Sequence, residues 1–183
     1  MFGSHKRQGK EAGAAVRHSF SAMSFGTSLY EPGVGFIPPR DFFVQPYVFG
    51  FAISVFDLMR VNIFKGGGWS PMKRFEYMLT AFSEFQGLGQ DIARDDFAPT
   101  FNALQGNEQL KLGAWHGGIN FAAMVGQANN FADDPIIIEA CSNPLPDIDF
   151  LTGVPAADPT AGFTSTVLML TVGKFMEETF PSA

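Results

Sequence analysis

Between residues 107 and 128 small residues recur every four positions: Ala114, Gly118, Ala122 and Gly126, with Gly113 and Gly117 running beside them. A period of four is a helical period, so these residues form a smooth stripe on one side of a helix. Each helical glycine costs up to about 1 kcal/mol relative to alanine. A helix that carries several must recover that loss from a neighbour that approaches its backbone closely. The Phe-rich segment 42–64 is the expected neighbour. A self-association seam and a ligand space are the alternatives. The interface candidates are therefore Gly113, Ala114, Gly117, Gly118, Ala122 and Gly126.

Segment 42–64 (FFVQPYVFGFAISVFDLMRVNIF) reads two ways. Its length suits a helix, with Pro46 in the first turn where a missing N–H costs nothing. The alternation of Phe49, Phe51, Ile53 and Val55 with Gly50, Ala52 and Ser54 suits a strand. A helix that is apolar all round is a central core helix, and that is the reading favoured here. Gln45, Asp57, Arg60 and Asn62 interrupt the apolar run, so no membrane span is expected.

Ser70-Pro71 is a helix start, with serine as the cap and proline at the first helical position. Phe75, Leu79, Phe82 and Phe85 then fall along one side, which predicts a buried face that ends at Gly87 and Gly89. Phe97, Phe101 and Leu104 predict another helix, with Pro99 in its first turn or marking a break. The three isoleucines Ile136 to Ile138 admit a short strand. Residues 164–180 predict a last helix, with 164–172 also readable as a strand. Stretches 24–41 and 142–162 are rich in Pro and Gly and predict irregular connections. The expected fold is a mainly α single-domain bundle of five to six helices with long connections. A basic arm with a short helix occupies 1–23 and the helical domain 24–183. An α+β fold with a small sheet is the alternative.

Charge is divided along the chain. Residues 1–74 carry nine Lys/Arg against four acids, a net of +5, whereas 75–183 carry three against fourteen, a net of −11, which together give −6. Opposed halves predict attraction to a charged partner or between copies. Four cations in the arm against an acidic remainder argue against a nucleic-acid partner. Phenylalanine outnumbers leucine, 21 to 11, so a ring-packed core is expected. The one cysteine, Cys141, excludes an intramolecular disulfide and is read as a buried inert thiol. It fits a reducing compartment, and with no apolar secretory run at the N-terminus the expected location is cytoplasmic.

No convincing catalytic set is visible. Ser70-Pro-Met-Lys73 fits S-x-x-K, in which the lysine amine takes the serine proton, but the K-T-G and S-D-N companions are missing. His116-Gly117-Gly118 resembles an oxyanion turn, but no G-x-S-x-G accompanies it. The three histidines are far apart in sequence and no H-E-x-x-H occurs, so no metal set or cofactor is expected. Asp91, Asp95 and Asp96, and likewise Asp147 with Asp149, read as solvated acids. The sequence therefore favours a non-enzymatic structural or interaction protein that assembles with itself or with a protein partner. The alternative is a small-molecule binder or small enzyme with an aromatic pocket at Trp115 and His116.

Overall fold

The computed structural model describes residues 4–103, 106–146 and 160–182. Among them are seven helices and one two-stranded hairpin. The helices are α1 (Ser4–Met23), α2 (Pro46–Ile63), α3 (Pro71–Gln86), α4 (Gln90–Ala103), α5 (Glu108–Met124), α6 (Pro135–Ser142) and α7 (161–179). The hairpin pairs β1 (Tyr30–Glu31) with β2 (Gly35–Phe36) in antiparallel register. The mainly α expectation holds, with one or two helices more than predicted.

Local chemistry explains the helix ends. Ser70 caps α3 by accepting from the Lys73 N–H, Pro71 follows it, and Gly87 closes the helix in the left-handed conformation at φ 71°. Asn107 caps α5 by accepting from the N–H groups of Gln109 and Leu110. Pro46 starts α2 after a 3₁₀ turn over Arg40–Val44. The last turn of α2, Met59–Ile63, widens to a π-helix. Phe64 N–H donates to Met59 O at 3.0 Å, and Lys65 then breaks the helix at φ 55°. A second π segment, Met169–Gly173, lies inside α7.

Two parallel helix pairs carry the bundle. In the first, α1 lies on α3, with Gly9 against Tyr77 O and Gly13 against Ala81 O. In the second, α5 lies on α2, with Gly113 against Tyr47 O and Gly117 against Phe51 O, while Gly50 meets Leu110 O in return. Each pair sets glycines four residues apart against carbonyls four residues apart. The hydrogen that stands where a Cβ would be points at a carbonyl oxygen, a Cα–H···O arrangement between close-packed helices. The pairs run in opposite directions: Tyr77 near the start of α3 donates to Phe56 O near the end of α2, and Phe85 near the end of α3 packs on Phe43 just before α2.

Phenylalanine fills the space between the pairs. Phe20 of α1 is fully buried, with the rings of Phe42, Phe51 and Phe85 between 5.4 and 5.6 Å away. Phe82 meets Phe49 and Phe97. A smaller apolar cluster on the other side of α5 joins Ile119 and Ala123 to Ile137, Ala140 and Val167 of α6 and α7.

Several expectations change. Residues 4–23 are not an arm with a short helix but a 20-residue helix whose Ala12, Val16 and Phe20 belong to the core. The Gly9-x3-Gly13 spacing is what lets a polar helix settle that deeply. Ile136 to Ile138 are helical, because Asp134 caps α6 and Pro135 opens it. Both 42–64 and 164–172 resolve as helix apart from the turn before Pro46. Pro99 sits inside α4 rather than in its first turn. Phe75 is 39% exposed, so the buried face of α3 begins at Tyr77 instead. Cys141 is exposed, since α6 turns Ile137 and Ala140 inward. Leu104, Asp147 and Asp149 lie outside the described residues.

Candidate functional site

The small-residue stripe divides when it folds. Gly113 and Gly117 are buried against α2, and Ala114 lies beside Gly50. Gly118 has only Phe131 Cζ near its open position, at 4.0 Å. Ala122 is buried, and Gly126 lies beyond α5 at φ 70°, in a turn. The close backbone approach therefore runs through Gly113 and Gly117, one residue away from the line Ala114, Gly118, Ala122. A period of four cannot say which of two neighbouring lines faces the partner. Within this chain α2 occupies that face.

Trp115 and His116 also part company, because consecutive helical residues point about 100° apart. His116 turns toward α2, where Tyr47 Oη lies 2.9 Å from its Nδ1. Phe175 of α7 stacks on Tyr47 with ring centres 4.1 Å apart. Asn120 donates to His116 O and to Thr171 Oγ1, both at 2.8 Å, tying the π segment of α7 to α5. Burial raises Tyr47 well above its ordinary value, so its hydroxyl stays protonated. The hydroxyl and Nδ1 share one hydrogen bond, whose direction follows the tautomer of His116. Burial lowers His116 below its ordinary 6.5, and the nearby Asp134 carboxylate opposes that shift.

A pH prediction follows from these directions. A depressed histidine value means that the folded state prefers the neutral ring. Its contribution to stability is complete above pH 6.5 and is lost as pH falls through the lowered value. The melting temperature should decline between neutral pH and pH 5, and His116→Gln should make that decline shallower. An unchanged slope in the variant would show that His116 does not contribute.

Trp115 points instead into a groove of about 390 Å³ lined by Asn129, Asn130, Phe131, Asp133, Asp134 and Pro135. Its Nε1 donates to Asp134 Oδ2 at 2.9 Å, and its ring meets Phe131 edge-on at 5.2 Å. The other Asp134 oxygen caps α6. Both carboxylate oxygens thus do structural work, and the groove is shallow. A second groove, of about 340 Å³, lies at Arg40, Asp41, Val44 and Asp96, where Arg40 pairs with Asp96.

The remaining candidate chemistry is structural. Ser70 Oγ accepts from the Lys73 backbone N–H, which is a cap and not a proton relay. Among the described residues no group of three or more His, Cys, Asp or Glu is placed to hold a metal ion.

The feature that sequence order conceals is a polarised bundle. At one end meet the starts of α1 and α3, the π-helical end of α2 and the 65–70 loop. This end carries Lys6, Arg7, Lys10, Arg60, Lys65, Lys73 and Arg74. Its acids are engaged: Glu11 by Arg7, Asp57 by the buried Arg60, and Glu76 by His5. Arg60 and Arg74 brace the loop through Gly66 O, Gly67 O and Trp69 O. Lys6, Lys10 and Lys73 are left exposed. The same end carries exposed apolar side chains, Met72 at 67%, Ile63 at 43%, Val61 at 40% and Phe75. The opposite end gathers Asp41, Asp91, Asp95 and Asp96 with Glu108, Glu177 and Glu178, because α5 starts there and α7 ends there. The cations from the starts of α1 and α3 and from the end of α2 thus share one end of the bundle, whereas Arg17 lies at the other end, donating to Phe85 O, and Arg40, Lys111 and Lys174 pair there with Asp96, Glu108 and Glu178.

One helix, Pro46–Ile63, is long and apolar enough to cross a membrane by length and composition, and 56% of it is buried within the bundle. Comparison with known proteins finds no family model, no curated protein and no solved structure that matches the chain.

Proposed function

We propose that this chain is a non-enzymatic interaction protein that works by docking its basic end onto an acidic surface, assembling with itself or within a larger complex. The supporting observation is the end itself: Lys6, Lys10 and Lys73 are exposed and have no carboxylate partner among the described residues, and the same end carries exposed Val61, Ile63, Met72 and Phe75. Charge steers such a contact, and the apolar side chains hold it. The glycine line is taken up by α2 and leaves this end as the working surface.

Retention on a sulfonate exchanger at neutral pH tests the reading, since a chain of net charge −6 is retained only through a local basic patch. The chain is expected to bind at low ionic strength and to elute with salt, and Lys6→Glu/Lys10→Glu/Lys73→Glu is expected to flow through. Flow-through of the unmodified chain would overturn the reading. Sedimentation at low and high salt separates the two modes of assembly. A mass that falls with salt means self-assembly through opposed ends, and a monomer throughout means a separate partner.

A further inference from the structure

We infer that the acidic surface met by the basic end is an anionic phospholipid bilayer. This rests on the reading of the basic end as the docking surface. Both features of that end are needed at a lipid interface, where cations attract anionic headgroups and apolar side chains enter the headgroup–acyl boundary. A phosphate backbone of nucleic acid would use the lysines but leave Met72 and Phe75 in water. The apolar side chains sit at the tip of the bundle, on the last turn of α2 and the first turns of α3, and the two grooves described above lie elsewhere on the molecule.

The supporting details agree. The positive N-terminal ends of the parallel helices α1 and α3 both face this surface. Trp69, half-buried against Tyr77 at 5.6 Å, stands at the base of the tip, where an amphipathic ring meets an interface. The loop that carries Lys65 is held by Arg60 and Arg74, so the cations are presented on a fixed scaffold.

Flotation with vesicles tests the inference, using phosphatidylcholine alone and phosphatidylcholine mixed with a minority of phosphatidylglycerol. The chain is expected to float with the mixed vesicles and not with phosphatidylcholine alone. Reversing Lys6, Lys10 and Lys73 to Glu is expected to weaken binding by more than about a hundredfold, since losing three cations at roughly fivefold each accounts for that much and the new carboxylates add repulsion from the anionic surface. The pair Met72→Ser and Phe75→Ser retains the charge, and is expected to bind at low salt but to release at a salt concentration that the unmodified chain withstands. These side chains are exposed, and unchanged circular dichroism melting would show that each variant is folded. Equal binding to both vesicle types, or none to either, overturns the lipid assignment. If the unmodified chain is still retained on the sulfonate exchanger, only the lipid assignment falls and the basic end keeps its role. If retention also fails, both readings fall. Salt-sensitive self-assembly with no vesicle binding would identify the acidic surface as a second copy and would likewise overturn the lipid assignment.

Discussion

Alanine at position 113 is expected to destabilise the protein by about 3 kcal/mol, the upper end of the range for overpacking. A Cβ there would overlap the Tyr47 carbonyl oxygen and lie 2.9 Å from the Tyr47 carbonyl carbon and 3.0 Å from the Phe51 nitrogen. These are backbone atoms in the first two turns of α2, and no rotamer change moves them away. The helices must separate, and the rings packed around α2 lose contact with them. The gain in helix propensity, at most about 1 kcal/mol, opposes this and is too small to reverse it. Gly13→Ala should behave in the same way, since its Cβ would overlap Ala81 O and lie 2.7 Å from Glu84 Cβ. Gly118→Ala is the contrasting case. Among the described residues only Phe131 Cζ stands near that position, at 4.0 Å, so the propensity gain should dominate and the variant should be equal or more stable. Urea denaturation of the three variants gives the comparison. Similar midpoints for Gly113→Ala and Gly118→Ala would refute the account of the α2–α5 contact.

Phe20→Ala is expected to cost about 3–5 kcal/mol, the usual loss for a buried phenylalanine. Phe20 is fully buried and touches rings from the turn before α2, from α2 and from α3, so its removal opens a cavity that three elements would have to move to fill. The site lies in the segment that sequence reasoning treats as an arm. A loss under about 1 kcal/mol would mean that α1 is a detachable appendage after all. Phe25→Ala, whose ring is 76% exposed, should by contrast stay within about 0.5 kcal/mol of the parent.

Where a helix begins and ends was legible because the signals are local. Ser70-Pro71 and Gly87 act on backbone groups within a few residues of themselves. The isoleucine run after Pro135 misled because β-branched propensity is weaker than a capped start followed by apolar positions that a neighbouring cluster can bury. The basic end was legible only as a total. Lys6, Lys65 and Lys73 are far apart in the chain, and nothing local says that α1 and α3 run parallel while α2 returns between them. Trp115 and His116 are adjacent in sequence and were read together as one pocket. The helix directs them to different elements, one toward Asp134 and the other toward Tyr47.

The sequence by itself determined the helical class, the capped ends, the Phe-rich interior and the presence of glycines that demand a close neighbour. Each of these is a property of a residue and its near surroundings. Only the tertiary structure decided that Gly113 and Gly117, and not Gly118, meet carbonyls of α2, that α1 is core, and that cations from three segments share one end. The physical reason is that helix rotation and direction are set by packing between elements distant in sequence. A four-residue period narrows the rotation to a pair of neighbouring lines and leaves the choice between them to the partner helix.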